Sequence, residues 1–255
     1  MGDQEQYLSS SWSSAITGDH VAEIQVNNFA CGGVAISVVV CHMIADGTAF
    51  IIFIQNNAYP MEATLMALTM PLLRSSRCTG RSIVFDASVI ASLKVKATSS
   101  SVPTPTRVEV VSALLVKCIM AAFKAKSGIE KPTFYTHAMN LRRKATPPFL
   151  ESSMGNFIRL AGVLCTDDEN MELAYTVRKL REVKMKIDDD FVKDLCIDSS
   201  DEREQVFPNT IMLMDTKCSS GIEARVRLDK EDITVLEQDK ELLVFASLDP
   251  SPIKV

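Results

Sequence analysis

The chain of 255 residues has one tryptophan, Trp12, and three histidines, so indole or imidazole chemistry can rest on very few positions. Long hydrophobic runs are missing. Stretches such as Val38 to Cys41 and Phe50 to Ile54 fall far short of the ~20 apolar residues that a membrane-spanning helix needs. No Cys-x-x-Cys occurs, and the seven cysteines (31, 41, 78, 118, 165, 196, 218) are scattered and odd in number. That argues against a disulfide framework or a zinc site and for reduced thiols in the cytoplasm. An excess of positive charge is also lacking. With 27 Lys and Arg against 32 Asp and Glu, the net charge of −5 disfavours nucleic acid or an anionic membrane as partner. Met1 to Leu8 is polar and acidic, unlike a secretory signal. Position 6 is Gln6, so Gly2 does not open a myristoylation pattern.

What is present is an ordinary globular composition, 47% apolar and 23% charged. Such a chain can bury a sizeable core in one large or two small domains, which excludes disorder as its dominant state. Val21 to Phe29 and Val34 to Cys41 read as strands joined by a Cys31-Gly32-Gly33 turn, the second strand buried. Asp46 or Thr48 opens a helix through Phe50 to Ile54, and residues 61–73 read as another helix. Ser82 to Phe85 reads as a strand, followed by a helix over Ser88 to Ala97 with Asp86 as N-cap. Residues 99–105 read as a linker. Thr106-Arg107-Val108-Glu109 fits a capping box for a helix to about Lys126, closed by Gly128. Leu114, Leu115, Cys118, Ala121 and Ala122 share one face of that helix. Strands follow at Phe134 to Leu141 and Phe157 to Leu164, and an exposed amphipathic helix lies within 168–186. The end reads strand (Thr210 to Asp215), turn, strand (Ile222 to Leu228) and helix (Glu231 to Phe245). The mixture predicts α/β or α+β with hairpins, not a regular βαβ array.

His42 stands out, because it ends a strand and is followed by Asp46-Gly47. A His-x-x-x-Asp-Gly pattern is expected about 0.01 times by chance at this composition. A neutral imidazole can accept a proton near pH 7. Asp46 either orients His42 or holds the turn by pairing elsewhere, and a core histidine beside a helix N-cap is the bland alternative. Cys41 beside His42 reads as a structural thiol, since neighbouring strand residues face opposite sides. Gly32-Gly33 reads as a hairpin turn and not a phosphate loop, because no Gly-Lys pattern follows. Asp188-Asp189-Asp190 reads as a solvated acidic run, and Lys94 and Lys96 with the Ser99–Ser101 linker read either as a solvated helix end or as a contact for a cofactor phosphate. His20 and His137 read as structural.

Asn27 to Ile36, with its Cys-Gly-Gly, running on to His42-Met43-Ile44-Ala45-Asp46-Gly47, resembles the plant BAHD acyltransferases. The resemblance continues at Phe85 to Ser88 with Leu93-Lys94, and at Pro105 to Glu109 with Ser112 to Leu114. It continues further at Asn140-Leu141-Arg142 with Pro147-Pro148 and Gly155-Asn156, and at Asp215-Thr216, Gly221 to Ala224 and Glu241 to Leu243. The alkaloid-type branch is the nearest in pattern. The resemblance implies an α/β, mixed-sheet, CoA-dependent acyltransferase-like architecture of two domains with the first incomplete. Residues 1–98 would form the partial N-terminal domain, 99–105 the linker and 106–255 the C-terminal domain. It implies acyl transfer, acetyl by default, from acyl-CoA to a hydroxyl or amine of a plant specialised metabolite. His42 and Asp46 would be the catalytic pair, His42 as general base and Asp46 turned away to pair with an arginine, for which Arg142 is the candidate. Gly47 and Arg142 would support the site, Arg107 and Ser112 would meet the cofactor, and no metal would take part. The protein would be a cytoplasmic monomer with no nucleic-acid or membrane partner.

Two departures bear on activity. The family's second signature, Asp-Phe-Gly-Trp-Gly, is absent; the chain reads Ile197-Asp198-Ser199-Ser200-Asp201-Glu202 where it belongs. Members are longer, mostly before the histidine block, and the stretch between Phe50 and Arg81 also reads as shortened. An inactive remnant that binds a partner is therefore the alternative expectation, and a leaky thioesterase a third.

Overall fold

The computed structural model describes residues 21–41, 44–56, 78–129, 132–165, 172–187, 209–216 and 220–248. The elements are β1 (Ala22–Asn28), β2 (Val34–Val40), α1 (Gly47–Asn56), β3 (Cys78–Phe85), α2 (Ala87–Ala97), α3 (Arg107–Ser127), β4 (Thr133–Asn140), β5 (Ile158–Cys165), α4 (Leu173–Met185), β6 (Thr210–Asp215), β7 (Ile222–Asp229), α5 (Lys230–Leu236), α6 (Lys240–Phe245) and β8 (Ser247–Leu248). The chain divides into two compact units. One comprises Met1–Arg74, Ala138–Arg159 and Asp189–Ser199; the other comprises Ser75–His137, Leu160–Asp188 and Ser200–Val255.

In the second unit β7 alternates strictly. Ile222, Ala224, Val226 and Leu228 are buried, while Glu223, Arg225, Arg227 and Asp229 are half-buried. That period of two fits a strand with one covered face. β7 pairs antiparallel with β6 and β3, and β8 pairs with β3, giving the order β6-β7-β3-β8. Against the sheet lies a core that includes Phe85, Ile90 and Leu93, with Leu114, Leu115 and Ile119 of α3 and Ile233, Leu236 and Leu242 of α5 and α6. Each such side chain contributes about 1.5–3 kcal/mol on burial. The central helix α3 begins at Thr106, whose hydroxyl accepts the Glu109 N–H while the Glu109 carboxylate accepts the Thr106 N–H. It ends at Gly128 in the left-handed region, φ +64°.

Several expectations are revised. Residues 99–105 do not separate the two units; they lie inside the second, where Ser99 and Val102 exchange backbone hydrogen bonds and Val102 is buried. β3 and α2 also belong to that unit, because β3 is bound across its length to β7. Asp86 precedes α2 without a side-chain capping bond. Ala121 is exposed on α3. The last helix is broken in two, since Asp239 caps a fresh start by accepting the Leu242 N–H. Residues 61–73, Asp188-Asp189-Asp190 and His20 lie outside the described residues.

In the first unit, β1 and β2 form an antiparallel hairpin pairing Ala22 with Val40 and Asn28 with Val34. Gly32 turns it with φ +83°. β2 is not a buried strand. Val34 is 59% and Ile36 39% exposed, because they share the outer side of the ribbon with Ile24 and Val26. A β-branched run marks strand propensity, whereas burial depends on what covers the face.

Candidate active site

His42 and Met43 lie outside the described residues, but the chain on both sides is fixed. Upstream, the Cys41 N–H donates to the Val21 carbonyl (2.9 Å) and the Ile44 N–H to the Cys41 carbonyl (3.1 Å). Downstream, Ala45 forms a parallel bridge with Gly155, and the Asp46 N–H donates to the Gly155 carbonyl (3.3 Å). Asp46 then starts α1 as its N-cap. Its Oδ1 accepts the Ala49 N–H at 2.9 Å, the bond that a helix start leaves open for a carboxylate.

The other carboxylate oxygen meets Arg142. Asp46 Oδ2 accepts from Arg142 Nη1 at 2.7 Å and from the Phe157 N–H at 2.9 Å, and both charged side chains are fully buried. A buried guanidinium needs every N–H engaged. Arg142 meets that requirement. Nη1 also donates to Asn140 Oδ1 (3.3 Å), Nη2 to the carbonyls of Ser153 (2.9 Å) and Gly155 (3.0 Å), and Nε to the Ser153 carbonyl (3.2 Å). Asn140 Oδ1 accepts the Arg142 backbone N–H as well (3.0 Å), and its Nδ2 donates to Thr48 Oγ1 (3.4 Å). The Phe157 ring lies over the guanidinium, 4.8 Å from ring centre to Cζ, and packs against Phe149 at 4.7 Å. Burial pushes the Asp46 carboxyl up, but the Arg142 guanidinium with the Ala49 and Phe157 N–H groups outweighs it and holds the carboxyl below its usual range. Asp46 is thus an ionised anchor. Among the described residues its two oxygens already hold three N–H groups.

The structure brings Asp46, Gly47 and Arg142 together in the first unit. Arg107 and Ser112 lie in the second unit, on α3. Arg107 is partly exposed and forms an ion pair with Asp215 at 3.1 Å. Ser112 is 2% exposed on α3, beside Tyr135. His137 contacts the Tyr135 hydroxyl (3.3 Å), and burial followed by the Lys184 charge holds its imidazole below the usual pKa. Lys96 sits over the Phe245 ring at 4.6 Å. Among the described residues no group of His, Cys, Asp and Glu is arranged to hold a metal ion, and no helix is long and apolar enough to cross a membrane. Sequence reasoning assigned no role to Ser153, Gly155 and Phe157. The Gly155-Asn156 pair was the one signal that pointed there.

The two-unit α/β fold carries a buried aspartate–arginine anchor whose aspartate lies four residues past a histidine in the sequence. The solved structure of vinorine synthase is similar to it, with a TM-score of 0.64 at 20% identity over 89% of this chain and 66% of that one. TRI101 of F. sporotrichioides, solved with coenzyme A and T-2, gives a TM-score of 0.66 at 16% identity over 89% of this chain and 70% of that one. The Transferase family model matches residues 6–82 and 73–205. Limonoid 7-O-acetyltransferase of Citrus sinensis is 39% identical over 94% of this chain and 70% of that protein. The chain belongs to this family, the plant BAHD acyltransferases. That alignment runs over 319 positions, more than the chain has residues, so the citrus enzyme carries internal segments that this chain lacks.

Proposed function

We propose that the chain transfers an acyl group, acetyl by default, from acyl-CoA to a hydroxyl of a polycyclic plant metabolite, with His42 as general base. The observation that carries this reading is the buried Asp46–Arg142 pair. It uses the motif's carboxylate as an anchor and leaves His42 as the motif's base. The imidazole takes the proton of the acceptor hydroxyl, and the oxygen attacks the thioester carbonyl. The carbon–sulfur bond breaks, and the imidazolium returns its proton to the CoA thiolate, so protons balance without an acyl-enzyme. Arg107, partly exposed at the start of α3, is the candidate contact for a cofactor phosphate. A hydroxyl of a limonoid is the favoured acceptor, from the name of the citrus relative. Coenzyme A in the solved TRI101 complex supports the donor class.

The test is thiol release from acetyl-CoA with and without a triterpenoid alcohol. Acceptor-dependent release by wild type, reduced about 10²–10⁴-fold in His42→Ala, is the expected result. Unreduced release in His42→Ala would remove the base from His42. The absent tryptophan signature favours the second reading, a binding remnant, for which wild type that releases no thiol is the expected result. Release without acceptor would instead mark a thioesterase.

A further inference from the structure

We propose that Gly155 is a positioning residue for His42, acting through Asp46; the inference rests on the acyl-transfer reading above. His42 lies in the sequence between two fixed points. The upstream one is the Cys41–Ile44 hydrogen bond at the end of the hairpin. The downstream one is the Gly155 carbonyl, which accepts both the Asp46 N–H and Arg142 Nη2. One oxygen thus ties the backbone just past His42 to the buried guanidinium.

Only glycine suits this position. Its φ is +123°, a region that residues with a Cβ avoid. A Cβ placed there would stand 2.8 Å from Phe157 Cε2, with two more ring atoms at 3.5 Å. The ring has little room to retreat. The Phe157 N–H is bound to Asp46 Oδ2, and its ring packs against Arg142 and Phe149. A methyl group at 155 must therefore shift the shared carbonyl, the Asp46 carboxylate, or both. Either shift moves residues 44–46, to which His42 is joined. Arg107, the candidate cofactor contact, belongs to the other unit. The expected signature is a defect in the chemical step with the cofactor affinity preserved.

The test compares Gly155→Ala with wild type and His42→Ala in steady-state acetyl transfer, with a thermal unfolding scan of each. A misplacement near 1 Å costs about 10²-fold. A folded Gly155→Ala should therefore lose about 10²-fold in kcat, with KM for acetyl-CoA within about twofold. Wild-type kcat in the folded variant, or a loss confined to KM, overturns the proposal. If Gly155→Ala shows no cooperative transition, the same readouts apply to Gly155→Ala/Phe157→Ala, in which the clashing ring is gone. If both fail to fold, the proposal also falls, because Gly155 is then a folding residue. The two readings fail separately. Unreduced transfer by His42→Ala removes the base itself. Abolished transfer there, with wild-type kcat in Gly155→Ala, removes the positioning role alone.

Discussion

A guanidinium offers five N–H groups, and Arg142 places them on Asp46, Asn140, Ser153 and Gly155. A lysine, with three donors on a point charge, cannot reproduce that planar set. Arg142→Met leaves the Asp46 carboxylate buried without a counter-charge. The variant should lose about 3–5 kcal/mol, read as a lower urea midpoint at neutral pH. Adding Asp46→Asn in the same chain should restore part of that loss, since the stranded charge is then gone. Additive losses would show that the two side chains do not act as a pair. This pairing spans 96 positions in the sequence, and the His-x-x-x-Asp spacing left Asp46 open between orienting His42 and bonding elsewhere. Family resemblance supplied Arg142. The Ser153 and Gly155 carbonyls stayed hidden because every residue carries a carbonyl, and only the folded path selects which ones converge.

Helix α3 was readable at both ends because caps are local chemistry. Thr106, Glu109 and Gly128 occupy the positions their side chains suit. Less readable was the second use of Glu109. It is buried and bound by Arg181 of α4 at 2.5 Å, with Lys184 at 3.7 Å. Burial pushes its carboxyl up, but Arg181, the Thr106 cap and Lys184 outweigh that and bring it from 4.5 down to about 2. The folded chain therefore favours the ionised form. Its stabilisation is complete above about pH 4.5 and fades as pH falls toward 2. A shift of this size corresponds to about 3 kcal/mol. Urea unfolding of wild type and Glu109→Gln should show the wild-type advantage shrinking by that amount from pH 6 to pH 2. A difference independent of pH would mean the carboxylate gains nothing from the fold. The break between α5 and α6 was missed for a similar reason. Asp239 sits in a run with helical periodicity, and only its bond to the Leu242 N–H shows that it starts a new helix.

At the scale of the molecule, the hairpin carries its polar residues inward and its apolar ones outward. Glu23, Gln25 and Asn27 are half-buried, while Ile24 and Val26 are 56% and 55% exposed. Exposed apolar faces of this kind promote self-association. Ile24→Thr/Val26→Thr should lower the apparent mass in light scattering at high concentration, with little change in unfolding midpoint. An unchanged mass would remove the hairpin from any association. Hairpin and turn were legible, being adjacent in sequence; exposure was not, since it depends on distant chain. The partition at 99–105 misled for the same reason, because β3 finds its partner in β7. That pairing joins Phe85 to Ile222 and Cys78 to Asp229. On the ribosome, β3 emerges about 140 residues ahead of β7, a wait of roughly 7–30 s at ordinary elongation rates. Through that interval the strand's hydrogen-bonding edge has no native neighbour. Nascent chains stalled before residue 222 should therefore be the ones that chaperones hold.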